Sequence, residues 1–266
     1  MIQDFVSGGA LELRHSESES RRFGYSVARL LVPIGALHSD DAIISLVKQS
    51  SSALVILRAE SSRVSLFREL QSLIDFEFLH ADTLCYYKWA VQNNGHADER
   101  GTRVVIERGI EWSDIDRVLT DSFQEYTNHY STNRRLSAGV TLAAYQEWAA
   151  GLMKNPQNVT LIARDRKTDQ VVGFILLMID SLRSTAEVAL NAVRPDSQRS
   201  GVYSILMTSA REYIARETDI RDLFISSQIG NTAVIEAWKK LGLAPYLSLN
   251  TLHLMRRIAF DDPDGR

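Results

Sequence analysis

The groups best suited to chemistry lie in residues 191–203, which read NAVRPDSQRSGVY. Apolar residues predict a strand that ends at Val193, and an amphipathic pattern predicts a helix over residues 197–217. The first N–H groups of a helix lack internal partners and lie at the positive end of its dipole, where a phosphate is favoured. Gly201 allows close approach to the backbone, and Arg199 offers a charge-assisted hydrogen bond. The segment predicts a pyrophosphate site, although one glycine suits a plain strand-to-helix turn equally well.

The stretch that follows favours the phosphate interpretation. A second predicted strand, residues 223–227, leads to Asn231 and to a predicted helix over residues 232–241. Over roughly residues 102–257, this order resembles the GCN5-related N-acetyltransferase (GNAT) family, in which such a loop cradles the pyrophosphate of coenzyme A. The matched positions are Val193, Pro195, Gln198, Gly201, Asn231, Lys240, Leu241, Gly242 and Leu243.

The resemblance implies acetyl-CoA, or another short acyl-CoA, as the co-substrate, and no metal. The strand that ends at Val193 is expected to offer backbone groups to the pantetheine amides. Its neighbour, residues 223–227, must then splay away to admit the acyl arm. The positions that the resemblance assigns to coenzyme binding are Leu190, Ala192, Val193, Gln198, Arg199, Ser200, Gly201, Val202, Tyr203, Asn231 and Trp238.

Two positions depart from the family pattern. The last loop position is Tyr203, where the family has Gly or Ala, so this side chain must point away from the phosphates. Seven residues after Asn231 stands Trp238, where many members carry a tyrosine that protonates the departing thiolate. Indole cannot act as an acid at neutral pH. The chain therefore either needs no general acid there or uses another group.

Three shorter stretches resemble bacterial N-acyltransferases of nucleotide-linked amino sugars, the TDP-fucosamine acetyltransferase family. They are Arg22-Phe23-Gly24, the pattern F-x-x-Y-x-x-H-Y-x-x-N over residues 123–133 ahead of Tyr145-x-x-Trp148-Ala149, and Thr251-Leu252-His253. This resemblance implies that the acceptor is the amine of a dTDP-type nucleotide-linked amino-deoxy sugar.

Candidate catalytic groups follow from the reaction, in which a neutral amine attacks a thioester and a proton must be removed. Glu187 lies near the start of the strand that leads to the loop, and a carboxylate there could take the proton. His253 on the closing strand is the second candidate, because imidazole has a suitable intrinsic pKa. An exposed strand residue and a structural histidine are the simpler interpretations.

Candidate acceptor-binding groups lie in the polar, basic stretch 127–139. His129 and Tyr130 could shape the acceptor site, and a surface loop is the alternative. Arg134 and Arg135 could bind acceptor phosphates, because guanidinium matches that geometry. A solvated charge pair is the alternative for the two arginines.

The elements that must position these residues form two units. In the first, a Ser/Glu-rich loop at 15–22 precedes predicted strands at 25–32, 53–58 and 77–91 and helices at 39–50 and 62–74. Residues 93–102 predict a linker. The second unit has the order β-α-α-β-β-β-α-β-α-β. We predict an α/β fold with a mixed sheet, in which a smaller βαβαβ, GNAT-like half domain (1–94) precedes a GNAT N-acyltransferase domain (102–266).

Composition limits the function classes. A formal charge of -3 argues against a general nucleic-acid binder. Cys85 is the single cysteine, which excludes an intramolecular disulfide and fits the cytoplasm. No apolar run reaches the ~18 residues of a spanning helix and no signal-peptide pattern is visible, so we expect a cytoplasmic protein without membrane insertion.

Three questions stay open at this stage. The acceptor could be another small-molecule or protein amine. The protein could also be a degenerate member that senses acyl-CoA, since Trp238 removes the usual acid. Finally, the sequence carries no interface signature, so a homodimer is neither predicted nor excluded.

Overall fold

The computed structural model describes residues 2, 10–35, 38–91, 103–108, 111–124, 126–136 and 141–258. The N-terminal half contains β1 (Leu13–His15), α1 (Glu17–Phe23), β2 (Val27–Leu31), α2 (Asp40–Gln49), β3 (Leu54–Glu60), α3 (Val64–Gln71) and β4 (Phe76–Ala90). The C-terminal half contains β5 (Val104–Arg108), α4 (Trp112–Phe123), α5 (Thr141–Met153), β6 (Val159–Asp165), β7 (Val171–Asp180), β8 (Thr185–Val193), a 3-10 turn (Pro195–Ser197), α6 (Val202–Glu217), β9 (Asp222–Gln228), α7 (Thr232–Lys240) and β10 (Ala244–Arg256).

No helix among these described residues is long and apolar enough to cross a membrane.

All ten strands form one mixed sheet in the order β1-β2-β3-β10-β4-β9-β8-β7-β6-β5. Two pairs, β2/β3 and β8/β9, are parallel, and the others are antiparallel. The predicted mixed sheet and the predicted order of the second unit are confirmed. The last strands of the two halves are exchanged: β10 pairs with β3, and β4 pairs with β9. The two halves therefore share one sheet. The division into residues 1–94 and 102–266 stays a prediction, since the linker at 93–102 lies outside the described residues.

The sequence prediction was wrong at two elements. The stretch 15–22 was predicted as a loop, but α1 begins at Glu17 and ends at Phe23 before Gly24, whose φ of +73° closes the helix. Glu19 and Phe23, one turn apart, face the protein and are buried. The second error concerns α6, which begins at Val202 rather than at residue 197. A 3-10 turn and a left-handed loop occupy the intervening residues.

Both faces of the C-terminal part of the sheet are covered. Along β7, Val172, Ile175 and Leu177 pack in the cluster that contains α6 and α7. Phe174 and Leu176 pack in the cluster that contains α4 and α5. Successive strand residues point to opposite faces, so α6 and α7 cover one face and α4 and α5 cover the other. A cavity that is lined by both helix pairs therefore has to pass through the sheet.

Candidate active site

A loop after β8 presents backbone N–H groups without partners. Gly201 has φ +86° and Arg199 has φ +59°, so the chain enters the left-handed region twice just before α6. No described atom accepts a hydrogen bond from the N–H groups of residues 199–204. N–H groups that converge in this way at a helix N-terminus bind anions.

The loop fits the pyrophosphate of coenzyme A. A Cβ built on Gly201 would meet nothing within 4 Å, so the space in front of the backbone is open. The nearby side chains are tied back to the loop: the Gln198 amide donates to the Val193 carbonyl at 3.0 Å, and the Ser200 hydroxyl donates to the Ser197 carbonyl at 2.6 Å. The N–H groups are therefore left for a ligand.

The parallel strands β8 and β9 separate next to this loop. Their pairing begins at Thr185↔Asp222 and ends at Val188↔Ile225, although β8 continues to Val193 and β9 to Gln228. The backbone of residues 189–193 thus has a free edge on the β9 side. The expected splay is present, and this edge can bind the pantetheine amides.

A cavity of about 1320 Å³ runs through this gap. It is lined by α6 and α7 from one face of the sheet, by α4 and α5 from the other, and by the N-terminal half. Ser200 and Val202 do not line it. The other predicted coenzyme positions do: Leu190, Ala192, Val193, Gln198, Arg199, Gly201, Tyr203, Asn231 and Trp238. The Asn231 amide donates to the Ser227 hydroxyl at 3.1 Å and does not cap α7.

The two departures from the family pattern contact each other in the cavity wall. The Trp238 indole N–H donates a hydrogen bond to the Tyr203 hydroxyl oxygen at 2.7 Å. Indole has no acceptor, so the hydroxyl hydrogen of Tyr203 must point elsewhere, and no described atom accepts it. Burial raises the pKa of Tyr203, while the Trp238 bond opposes that shift. Tyr203 is therefore a neutral phenol with a free O–H beside the cavity.

Glu187 is the predicted catalytic candidate that lines the cavity. It is 2% exposed, and its carboxylate accepts a hydrogen bond from the backbone N–H of Ile2 at 2.9 Å. Glu187 lies on β8 directly before Val188, the last paired residue, and so at the point where the gap opens. This position suits a group that takes a proton at the gap.

His253 is completely buried and does not line the cavity, whereas His129 does. The Asn133 oxygen accepts from the Arg135 backbone N–H at 3.1 Å, so its amide nitrogen donates to Nδ1 of His253 at 3.0 Å. Nε2 of His253 must then carry hydrogen and donate to Nδ1 of His129 at 3.0 Å. In each neutral ring the acceptor nitrogen, Nδ1, therefore already accepts a hydrogen bond. His129 keeps one unused N–H, on Nε2.

Burial lowers the pKa values of both rings. For His253 the pKa falls to about 4, with Arg58 and Arg29 adding to burial against the attraction of Glu19. For His129, burial and then Arg58, His253 and Arg29 hold the pKa well below its usual value. Both rings are neutral at neutral pH, and the unused N–H of His129 belongs to a residue that lines the cavity.

The remaining predicted acceptor residues differ in their placement. Tyr130 lines the cavity, but its hydroxyl donates to Glu19 and accepts from Arg29 at 2.9 Å. Arg135 pairs with Glu77 at 2.8 Å. Arg134 is exposed, and neither arginine lines the cavity. Their roles stay predictions.

Sequence reasoning missed several charged groups that line the cavity from the N-terminal half. Arg29 forms a short ion pair with Glu19. Burial alone would raise the pKa of Glu19, but Arg29 and Tyr130 lower it to about 2. Arg58 on β3 and Asp82 on β4 also line the cavity. Burial raises the pKa of Asp82. A strand with the sequence ALVILR indicates a core strand, so nothing in it marked Arg58 as a cavity residue.

Comparisons with known proteins agree with this geometry. Residues 113–243 match the model of the acetyltransferase (GNAT) family. Among curated protein sequences, none gives a significant match. The matched segment is just under half of the chain, and together with the loop and the gap it supports an acyl-CoA-dependent N-acyltransferase with the GNAT fold.

Solved structures share the fold. A GCN5-related N-acetyltransferase from Sphaerobacter thermophilus superposes with a TM-score of 0.63 at 12% identity, covering 88% of this chain and 74% of that one. A conserved protein of unknown function from Staphylococcus epidermidis gives 0.57 at 12% identity, over 96% of this chain and 97% of that one. A tandem GNAT protein from the clavulanic acid biosynthesis pathway gives 0.54 at 14% identity, over 86% and 74%. The tandem neighbour fits the idea of two related halves.

Proposed function

We propose that the protein moves an acetyl or other short acyl group from coenzyme A to the amine of a nucleotide-linked amino-deoxy sugar, of the dTDP type. The observation that carries this proposal is the continuous cavity from the N–H groups around Gly201, through the gap between β8 and β9, to the charged wall of the N-terminal half. One end suits the pyrophosphate of the donor, and the other has space and polar groups for an acceptor. The compartment proposed is the cytoplasm, and whether the protein forms a homodimer stays open.

The residues at the gap divide the proton transfers between them. Bound acyl-CoA supplies the thioester that the neutral amine attacks. In this proposal Glu187 takes the proton that the amine loses as the new C–N bond forms. Tyr203 gives its hydroxyl proton to the sulfur as the C–S bond breaks, and Trp238 holds the phenol in place. One proton enters the protein and one leaves it, so the reaction balances once Glu187 and Tyr203 exchange protons with solvent.

A second candidate is an acyl-CoA-binding protein without transfer activity. It is favoured by Trp238, which occupies the position where many family members have their acid. The free O–H of Tyr203 against that indole argues for an enzyme, because a proton donor is still present at the gap.

The test is a calorimetric titration with acetyl-CoA, followed by thiol release with a panel of nucleotide-linked amino sugars, free amino sugars, polyamines and peptides. Binding with release on a nucleotide-linked sugar alone supports the proposal. Release only on another amine keeps the transferase and overturns the acceptor. Binding without release on any amine favours the sensor, and a chain that binds no acyl-CoA overturns the proposal altogether.

A further inference from the structure

Arg58 forms no ion pair with any carboxylate among the described residues. Its single hydrogen bond within the described residues runs from Nε to the Thr251 hydroxyl at 3.1 Å, and no described carboxylate lies within 4.0 Å of its nitrogens. The neighbouring Arg29 differs, because Glu19 neutralises it. Arg58 lines the cavity and is only partly exposed. Its terminal N–H groups are therefore available to a ligand, in surroundings where an anion would be bound strongly.

His129 supplies a second donor beside Arg58. The chain of hydrogen bonds from Asn133 through His253 fixes its hydrogen on Nε2, and His129 is among the residues that line the same cavity. Burial first, and then the charge of Arg58, lower the pKa of His129, so the ring stays neutral with its hydrogen on Nε2. A neutral donor next to a guanidinium matches an oxyanion and cannot bind a cation.

The pairing of β3, β10 and β4 determines which of their side chains lie side by side in the cavity wall. Thr251 pairs with Arg58 on one side and with Asp82 on the other. Directly opposed residues point to the same face, so Arg58, Thr251 and Asp82 form a row across β3, β10 and β4. Asp82 is the end of the row nearer the gap, because β9 is the next strand and Asp82 bonds to Gln228 at its end. An anion is attracted to the Arg58 end and repelled from the Asp82 end.

We infer that Arg58 and His129 form an anion subsite that holds a phosphate of the acceptor, with the acceptor's amine directed past Asp82 toward the gap. The inference rests on the proposed function and specifies how its acceptor is recognised. Two strand spacings of about 4.8 Å place the backbones at the two ends of the row about 10 Å apart. A free α-amino acid, whose amine and carboxylate share one carbon, is too short for this span. A sugar diphosphate has the required reach.

The experiment uses the purified chain saturated with coenzyme A, so that the Gly201 loop is filled. Calorimetry then measures the affinity for dTDP, as the diphosphate probe, and for succinate, as a carboxylate probe. We expect dTDP to bind and Arg58→Met to weaken that binding by about tenfold to a hundredfold, as loss of a charge-assisted hydrogen bond should. Arg58→Met should leave the affinity for coenzyme A unchanged. Arg68→Met is the matched control, because that exposed arginine pairs within its own helix.

The two probes distinguish a phosphate ligand from a carboxylate ligand. Succinate binding that depends on Arg58, without dTDP binding, keeps the subsite and assigns it to a carboxylate. Equal dTDP affinity in wild type and Arg58→Met, or no binding of either probe, overturns the subsite. If Arg58→Met fails to fold, Arg58→Lys keeps the charge but loses the planar fork, and it should still weaken dTDP binding severalfold. His129→Leu should weaken it as well.

Failure of the proposed function can be distinguished from failure of the anion subsite. If the wild-type chain binds no acyl-CoA, the transferase proposal falls. The Arg58 comparison can then be made in a Gly201→Glu background, in which the loop is blocked. Binding of dTDP there that depends on Arg58 supports the subsite on its own, and binding that does not depend on Arg58 overturns it.

Discussion

The indole N–H of Trp238 on α7 donates to the phenol oxygen of Tyr203 in the first turn of α6, at 2.7 Å. Each residue is a departure from the family pattern when the sequence is considered position by position. In the structure they form one unit, because the indole, which cannot act as an acid, holds a phenol whose O–H is not bonded to any described atom. Tyr87 packs against the other side of this unit, with its ring 5.2 Å from that of Trp238.

Tyr203→Phe removes the hydroxyl and keeps the ring. We expect kcat to fall by about a hundredfold, the usual contribution of a positioned general acid, with an unchanged dissociation constant for coenzyme A at neutral pH. Trp238→Phe should lower kcat less, because the phenol remains but is no longer held. Steady-state kinetics with calorimetry measures both effects.

A useful control for Tyr203→Phe is a pair of ligands, coenzyme A and desulfo-coenzyme A, which lacks the sulfur. If the phenol contacts sulfur, the variant should lose affinity for a coenzyme A thiolate at high pH and none for the desulfo analogue. Equal kcat in Tyr203→Phe and wild type would contradict the role proposed for this residue.

Gly201→Glu should abolish coenzyme binding, because the side chain adds bulk and negative charge where the pyrophosphate is expected. Gly201→Ala separates backbone strain from ligand contact. Its Cβ meets no protein atom within 4 Å, although φ of +86° is unfavourable for alanine. We expect a modest loss of stability and a weaker affinity for acetyl-CoA. A folded Gly201→Glu variant with wild-type affinity would show that the loop does not bind the pyrophosphate.

Gly173 on β7 has a packing role that Gly201 does not. A Cβ there would lie 3.0 Å from the Ala192 carbonyl oxygen and 3.0 Å from Cδ1 of Leu206 on α6. The carbonyl belongs to the neighbouring strand and cannot move away, so Gly173→Ala should lower the free energy of unfolding by about 1–3 kcal/mol. Gly151→Ala in α5 is the matched control. Its Cβ meets nothing, and alanine favours a helix, so stability should be equal or higher.

Local patterns were sufficient to predict most elements, and they also led to the loop proposed to bind coenzyme A. Apolar residues at helical spacing predict α2 and α3, the short apolar run at 53–58 predicts β3, which is buried on both faces, and the strand-like stretch 77–91 predicts β4. The α1 helix escaped prediction, since the Ser/Glu composition of residues 15–22 suggests solvent. What holds the helix is remote in sequence: Arg29 pairs with Glu19, and the Tyr130 ring packs 5.1 Å from that of Phe23. The start of α6 was placed too early because the polar stretch 197–201 does not reveal the positive φ angles of Arg199 and Gly201.

The acceptor side could not be predicted, because it depends on the strand exchange. Arg58 and Asp82 are 24 residues apart in the sequence, and they come into one row only because β10 inserts between β3 and β4. Nothing in the local sequence encodes that insertion. For the same reason Arg134 and Arg135 were chosen for the acceptor: they stand beside His129 in sequence, whereas the structure pairs Arg135 with Glu77 on β4.

The buried imidazoles should make the protein acid-sensitive in a defined window. The pKa of His253 is lowered from 6.5 to about 4 in the folded state, and burial lowers that of His129 as well. Below pH 6.5 the unfolded chain therefore binds protons that the folded chain does not, and stability falls as the pH drops from 6.5 toward 4. For His253 alone the full loss is about 3 kcal/mol. Glu19, whose pKa is lowered to about 2, adds a loss that begins only below its unfolded value of 4.5.

Urea unfolding at a series of pH values measures this slope. A His129→Gln, His253→Gln double variant should be less stable at neutral pH, because the hydrogen-bonded chain to Asn133 is broken. Its stability should nevertheless change little between pH 6.5 and 4.5, where Glu19 does not yet contribute. His15→Gln, which removes an exposed imidazole on β1, is the matched control and should keep the wild-type slope. A double variant as steeply pH-dependent as wild type would mean that other groups take up the protons, and that the two rings are not held neutral by their burial.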